Sequence, residues 1–173
     1  MSLKVNIGEQ LPSIGLRATD GYLLNLRSYV TRQPSILIFF GAPTLSGPAR
    51  EHGEALARGI ADGFPRLAAA GVGAFGITCD SEAQQRDYLE GAKLPFLLLS
   101  DERRSAVEAL GIPTSRDGDN VNAEPTAIAV GIDGTILDIV ERAEPRGLVA
   151  RLLDAFRDPD VGAAPAASAR APA

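Results

Sequence analysis

The chain has 173 residues, 45% hydrophobic and 23% charged, which is the profile of one globular domain with a buried core. A net charge of −5, with no segment that concentrates Lys and Arg, argues against a nucleic-acid partner, and no apolar run reaches the roughly 18 residues that cross a bilayer. One cysteine excludes an internal disulfide and the opening MSLKVNIGEQLP lacks the apolar stretch of a secretory signal, so a soluble cytoplasmic protein with no membrane partner is expected.

In chain order, Ile14 to Ala18 predicts a short strand, and the Asp20-Gly21 turn with the alternation that follows predicts a hairpin and a brief helical turn near Leu26 to Val30. "SILIFF" (35–40) predicts a central strand buried on both faces. From Pro48, apolar residues recur at helical spacing, and proline suits a first turn because its missing N–H would be unpaired there. Gly59, Gly63 and Pro65 predict a kink in this helix or its division into two pieces. "VGAFGIT" (72–78) predicts a second buried strand, with Asp80-Ser81 capping a helix from about Glu82 to Gly91. "LPFLLLSD" (94–101) predicts a strand, "DERRSAVEALG" (101–111) a capped helix and "IPTSRDGDNVNAE" (112–124) a polar loop. "PTAIAVGIDGTILDIVE" (125–141) predicts a hairpin turning at Asp133-Gly134, and "EPRGLVARLLDAF" (144–156) an amphipathic helix. One domain over 1–157 follows, with 158–173 an Ala/Pro-rich tail too poor in apolar bulk to fold. Two strand–helix–strand crossovers imply a parallel core and the late hairpin adds antiparallel strands, so an α/β fold with a mixed sheet and helices on both faces is expected.

Several stretches together resemble the peroxiredoxin branch of the thioredoxin fold, the alkyl hydroperoxide reductase and thiol-specific antioxidant family. They are "IGEQLPSIGLRATDGYLLNLRSYV" (7–30), "FGITCDSEAQQRDYLEGAKLPFLLLSD" (75–101) and "AIAVGIDGTI" (127–136). The resemblance implies a thioredoxin-like sheet with an N-terminal β-hairpin, and a Pro-x-x-x-Thr-x-x-Cys motif where the first buried strand meets its helix. There a thiolate is stabilised by the helix N-terminus, while the Thr and a distant Arg orient the peroxide. Matched onto this chain, Thr44 falls on the family's Thr, but Phe40 stands at the Pro, Gly47 at the Cys and Pro125 at the Arg. Ser46 cannot replace the thiol, because its hydroxyl lacks the nucleophilicity and accessible ionisation that peroxide reduction needs.

The expected role is therefore that of a non-peroxidase binding or accessory protein, engaging a partner protein or a small anionic or apolar ligand at the former active-site loop. Cys79, the only thiol, reads either as a buried structural residue or as a relocated redox group working with an external reductant. A third reading is a non-redox enzyme using Thr44, Ser46 or His52. The Thr44–Gly47 loop is either an anion-sized pocket of backbone N–H groups or the remnant of a lost site. Asp20, Asp80, Asp101 and Asp133 read as turn and cap residues, so neither a metal nor another cofactor is expected. Pro125 opens a strand facing the loop and suits a cis peptide bond, the alternative being a trans proline that starts the strand. A homodimer fits the resemblance.

Overall fold

The computed structural model describes residues 3–157; the tail expected over 158–173 lies outside the described residues. Strands β1 (Gly15–Ala18) and β2 (Leu23–Asn25) form the N-terminal hairpin. Helix α1 (Leu26–Val30) follows at once, because the Asn25 side chain accepts the Ser28 N–H and supplies its cap. Then come β3 (Ser35–Phe39), α2 (Gly47–Ala69), β4 (Gly73–Thr78), α3 (Glu82–Gly91), β5 (Leu97–Ser100) and α4 (Ser105–Leu110). A small hairpin of β6 (Thr114–Asp117) and β7 (Asn120–Ala123) precedes β8 (Thr126–Val130), β9 (Ile136–Glu141) and α5 (Leu148–Arg157).

Seven strands make the main sheet in the order β2-β1-β5-β4-β3-β8-β9. β3, β4 and β5 are parallel, as the two crossovers require, and antiparallel pairs flank them on both sides. Successive side chains of β3 point to opposite faces, and both faces are covered. Ile36, Ile38 and Phe40 join the core beneath α2, α3 and α5, while Leu37 and Phe39 join the core beneath α1 and α4. β3 is buried along its whole length, which is why its sequence shows no alternation of apolar and polar residues.

Three expectations need correction. α2 is not divided into two pieces: it is one helix from Gly47 to Ala69 that carries Pro65 within it. Its glycines answer to packing: a Cβ on Gly63 would lie 2.7 Å from Val149 of α5, and one on Gly53 would collide with the Gly41 carbonyl oxygen. The stretch 112–124 is no open loop, since β6 and β7 pair from Thr114–Ala123 to Asp117–Asn120 and turn through Gly118 at φ 66°. The peptide bond before Pro125 is trans, as no cis bond occurs among the described residues.

Candidate functional site

The junction between β3 and α2 is the place where the sequence lacks a reactive group. Gly47 is the first residue of α2, exposed, with φ 65°, and a Cβ built on it would meet no atom within 4 Å. Ser46 has extended backbone and its side chain caps nothing, and Pro48 sits in the first turn. Thr44 does not face this helix start. Its hydroxyl donates to Asp80 Oδ1 at 2.9 Å and its oxygen lies 3.5 Å from Asn122 Oδ1. A hydroxyl has one proton to give, so this bond commits it.

Asp80 is not the cap that the sequence suggests. Ser81 caps α3 by itself, in a capping box closed by Gln84, and Asp80 turns inward instead. It is 3% exposed, and its second oxygen has no hydrogen-bond partner. The other aspartates act as expected: Asp20 accepts the Tyr22 N–H, Asp133 accepts the Thr135 N–H, and Asp101 accepts the N–H groups of Ala106 and Val107 at the start of α4.

Cys79 lies at the end of β4, half-buried against the core beneath α1 and α4. Its thiol is pushed up to about 12, by burial first and then by the charges of Asp101 and Asp80; Arg104 and a backbone bond from Ala123 oppose them. A thiol so placed stays protonated near neutral pH, and the thiolate is the reactive form.

Next to the junction, on the other side of the loop, is a depression of about 290 Å³. Its floor holds the buried residues Gly41, Gly53 and Asn122, and its walls include Leu45, Ala49, Ala123 and Pro125. Thus Pro125 faces the depression, but Thr44 and Gly47 are not among its lining residues. His52 lines it too, and bonds through Nε2 to the Ala143 carbonyl at 3.0 Å. A carbonyl only accepts, so Nε2 carries the proton and the neutral ring has its lone pair on Nδ1. Nδ1 lies 3.8 Å from Glu144 Oε1. Glu124 and Arg142 complete the charged part of the rim, Arg142 with a left-handed backbone at φ 50°.

Of the residues singled out in sequence, the structure brings Pro125 and His52 to one depression and leaves Ser46 and Gly47 outside it. Asn122, Glu124, Arg142 and Glu144 were missed. The Asp117-Gly118 pair was the available signal, because a turn there folds β7 back and delivers Asn122 to the floor. Among the described residues no cluster of three or more His, Cys, Asp or Glu side chains is suited to a metal ion, and no helix is long and apolar enough to cross a membrane.

The profile of the AhpC/TSA family matches residues 7–139. The chain is 30% identical over 115 residues to the chloroplastic peroxiredoxin Q of Oryza sativa subsp. japonica, which covers 66% of this chain and 50% of that protein. The chain therefore spans about half the length of the plant relatives it matches. It is 25% identical over 154 residues to the Coxiella burnetii protein assigned as peroxiredoxin bcp, covering 87% of this chain and 98% of that one. Among solved structures, peroxidoxin BcpB of Mycobacterium tuberculosis superposes with a TM-score of 0.74 at 19% identity, covering 87% of this chain and 96% of the other. The Xanthomonas campestris bacterioferritin comigratory protein gives 0.72 at 16%, over 91% and 98%. The structural likeness carries the fold, a peroxiredoxin-type thioredoxin-like sheet with its N-terminal hairpin, and the sequence match carries the membership: this chain belongs to the AhpC/TSA family.

Proposed function

We propose that this chain is a peroxiredoxin-fold protein that has left thiol peroxidase chemistry and binds a small ligand in the depression beside Pro125. One observation carries the first half. The only thiol, Cys79, is held protonated at the end of β4, while the start of α2 bears an exposed Gly47 and no sulfur. Peroxide reduction needs a thiolate beside groups that stabilise the leaving oxygen, and these two requirements fall on different junctions here. The Thr44 hydroxyl, which the family resemblance would assign to the peroxide, is engaged by Asp80. For the second half, the concave site at the strand ends, with an apolar wall and several convergent polar groups, has the make-up of a ligand pocket. A cytoplasmic homodimer is part of the same proposal; sedimentation of the purified chain tests the oligomeric state.

Consumption of hydrogen peroxide and cumene hydroperoxide, with the thioredoxin system or glutathione as reductant, tests the loss of peroxidase activity. The expected result is no turnover above a protein-free control. Saturable turnover that vanishes in Cys79→Ser overturns the proposal in favour of a redox enzyme working through Cys79.

A further inference from the structure

We infer that the depression beside Pro125 takes a small zwitterion with an aliphatic group, an apolar α-amino acid or a dipeptide; this rests on the proposal that the depression is a ligand site. The charges on its rim carry the argument. Arg142 and Glu124 line one cavity, yet neither makes an ion pair with the other or with any other group among the described residues. Their charged groups are therefore more than 4 Å apart on the lining of one cavity. A ligand with a carboxylate at one end and an ammonium at the other would meet both, and would remove the mismatch that a purely anionic or purely cationic ligand would leave. A simple anion would face Glu124 and Glu144; a simple cation would face Arg142.

The other groups agree with this polarity. His52 Nδ1 in the neutral ring and the Glu144 carboxylate beside it are further acceptors on the lining, suited to an ammonium. In the floor, Asn122 is 1% exposed and one end of its side-chain amide has no partner, a buried polar group left for a ligand to meet. Arg142 holds a left-handed backbone that a side-chain-bearing residue adopts rarely, a feature that gathers at ligand-holding positions. Leu45, Ala49, Ala123 and Pro125 give the apolar wall for an aliphatic side chain. At about 290 Å³ the space lies at the small end of ligand pockets, which limits the ligand to one or two residues.

The test is titration of the full-length, 15N-labelled protein by NMR at neutral pH. L-leucine and glycyl-L-leucine are the two probes, beside N-acetyl-L-leucine, which lacks the cation, and L-leucinamide, which lacks the carboxylate. The expected result is saturable shifts of the Gly41, Gly53 and Asn122 amides with one or both zwitterions, and binding at least tenfold weaker for both blocked forms. Arg142→Asn, chosen because Asn tolerates a left-handed backbone, and Glu124→Gln should each weaken zwitterion binding at least tenfold while leaving the spectrum folded. Equal binding of the blocked forms at the same amides overturns the zwitterion and leaves the ligand site standing. No saturable shift from either zwitterion up to its solubility overturns this inference, whereas peroxide turnover in the separate assay overturns the underlying proposal.

Discussion

Strands β3 and β4 run parallel and adjacent, and each hands the chain to a helix at the same end of the sheet. The two handovers differ in almost every respect. After β4 only Cys79, Asp80 and Ser81 intervene before α3, and the helix start is closed by mutual bonds between Ser81 and Gln84, at 2.9 and 3.2 Å. After β3 the chain runs through residues 40–46, no side chain caps α2, and the first helical residue is a left-handed glycine. Sulfur sits at the closed junction, where burial and two carboxylates keep it protonated. The open junction has the free helix start that would activate a thiol and has none to activate. Only the Thr44–Asp80 bond joins the two directly through side chains.

The largest consequence concerns Cys79 itself. With its thiol pushed up to about 12 from an ordinary 9.0, the native thiolate fraction near pH 8 falls about a thousandfold below that of the unfolded chain. Labelling by a thiol-specific disulfide reagent should slow by a comparable factor on folding; native rates near those in urea would show the closed junction to be reactive after all. The sign for stability follows from linkage. Because the folded chain holds this proton more tightly, Cys79 costs no stability below about pH 9, and stability falls as pH rises from there towards 12. Cys79→Ser should lack that component of the alkaline decline.

Next in size is the packing of the open junction. Gly53→Ala places a methyl group against the Gly41 carbonyl oxygen, a backbone atom that can yield only if the end of β3 or α2 moves. The loss should be about 3 kcal/mol despite the gain in helix propensity, measured by urea unfolding. An unchanged midpoint would mean the two segments are free to separate. Thr44→Val should cost about 1–3 kcal/mol, because it removes the one hydrogen bond to the Asp80 side chain and leaves a buried carboxylate with none. In the double variant with Asp80→Asn the two effects should not add, whereas strict additivity would show that the junctions are uncoupled. Ser81→Ala, on the closed side, should cost about 1 kcal/mol through loss of the cap, read from the same unfolding curves.

The elements set by local rules were legible in the sequence. The limits of α1 and α3 follow from the caps at Asn25 and Ser81, and the buried run of β3 follows from its unbroken apolar composition. What escaped depends on residues distant in the chain. Gly59 and Gly63 read as helix breakers because the sequence does not show the Pro145 and Val149 side chains that crowd their missing Cβ positions. Asp80 read as a cap because it adjoins Ser81, and only the return of the Thr44 loop explains why it turns inward. A pocket facing Pro125 was legible, but its floor and charged rim were not, since Gly41, Asn122 and Arg142 belong to three separate segments. The β6–β7 hairpin was the exception: its Asp-Gly turn was visible, but its polar strands hid the pairing.

The smallest expected shift is in the thiol created by putting sulfur back at the open junction. In Gly47→Cys the new side chain would meet nothing within 4 Å, so the thiol would be exposed at the first residue of α2. An exposed charge at a helix N-terminus gains about 0.3–1 kcal/mol, which lowers a thiol pKa by less than about one unit. The left-handed backbone at φ 65° opposes the substitution, at a cost of about 1–2 kcal/mol. The variant should therefore label rapidly at residue 47 and only slowly at Cys79, titrate slightly below an unfolded cysteine, and still fail to consume peroxide. It would fail because Thr44 is turned to Asp80 and Pro125, rather than a guanidinium, faces the depression. A thiol at residue 47 that titrated like one in an unfolded peptide would show that α2 does not begin there. Efficient peroxide turnover by the variant would show that the missing cysteine alone separates this chain from a peroxidase, and that Thr44 is released from Asp80 when substrate arrives.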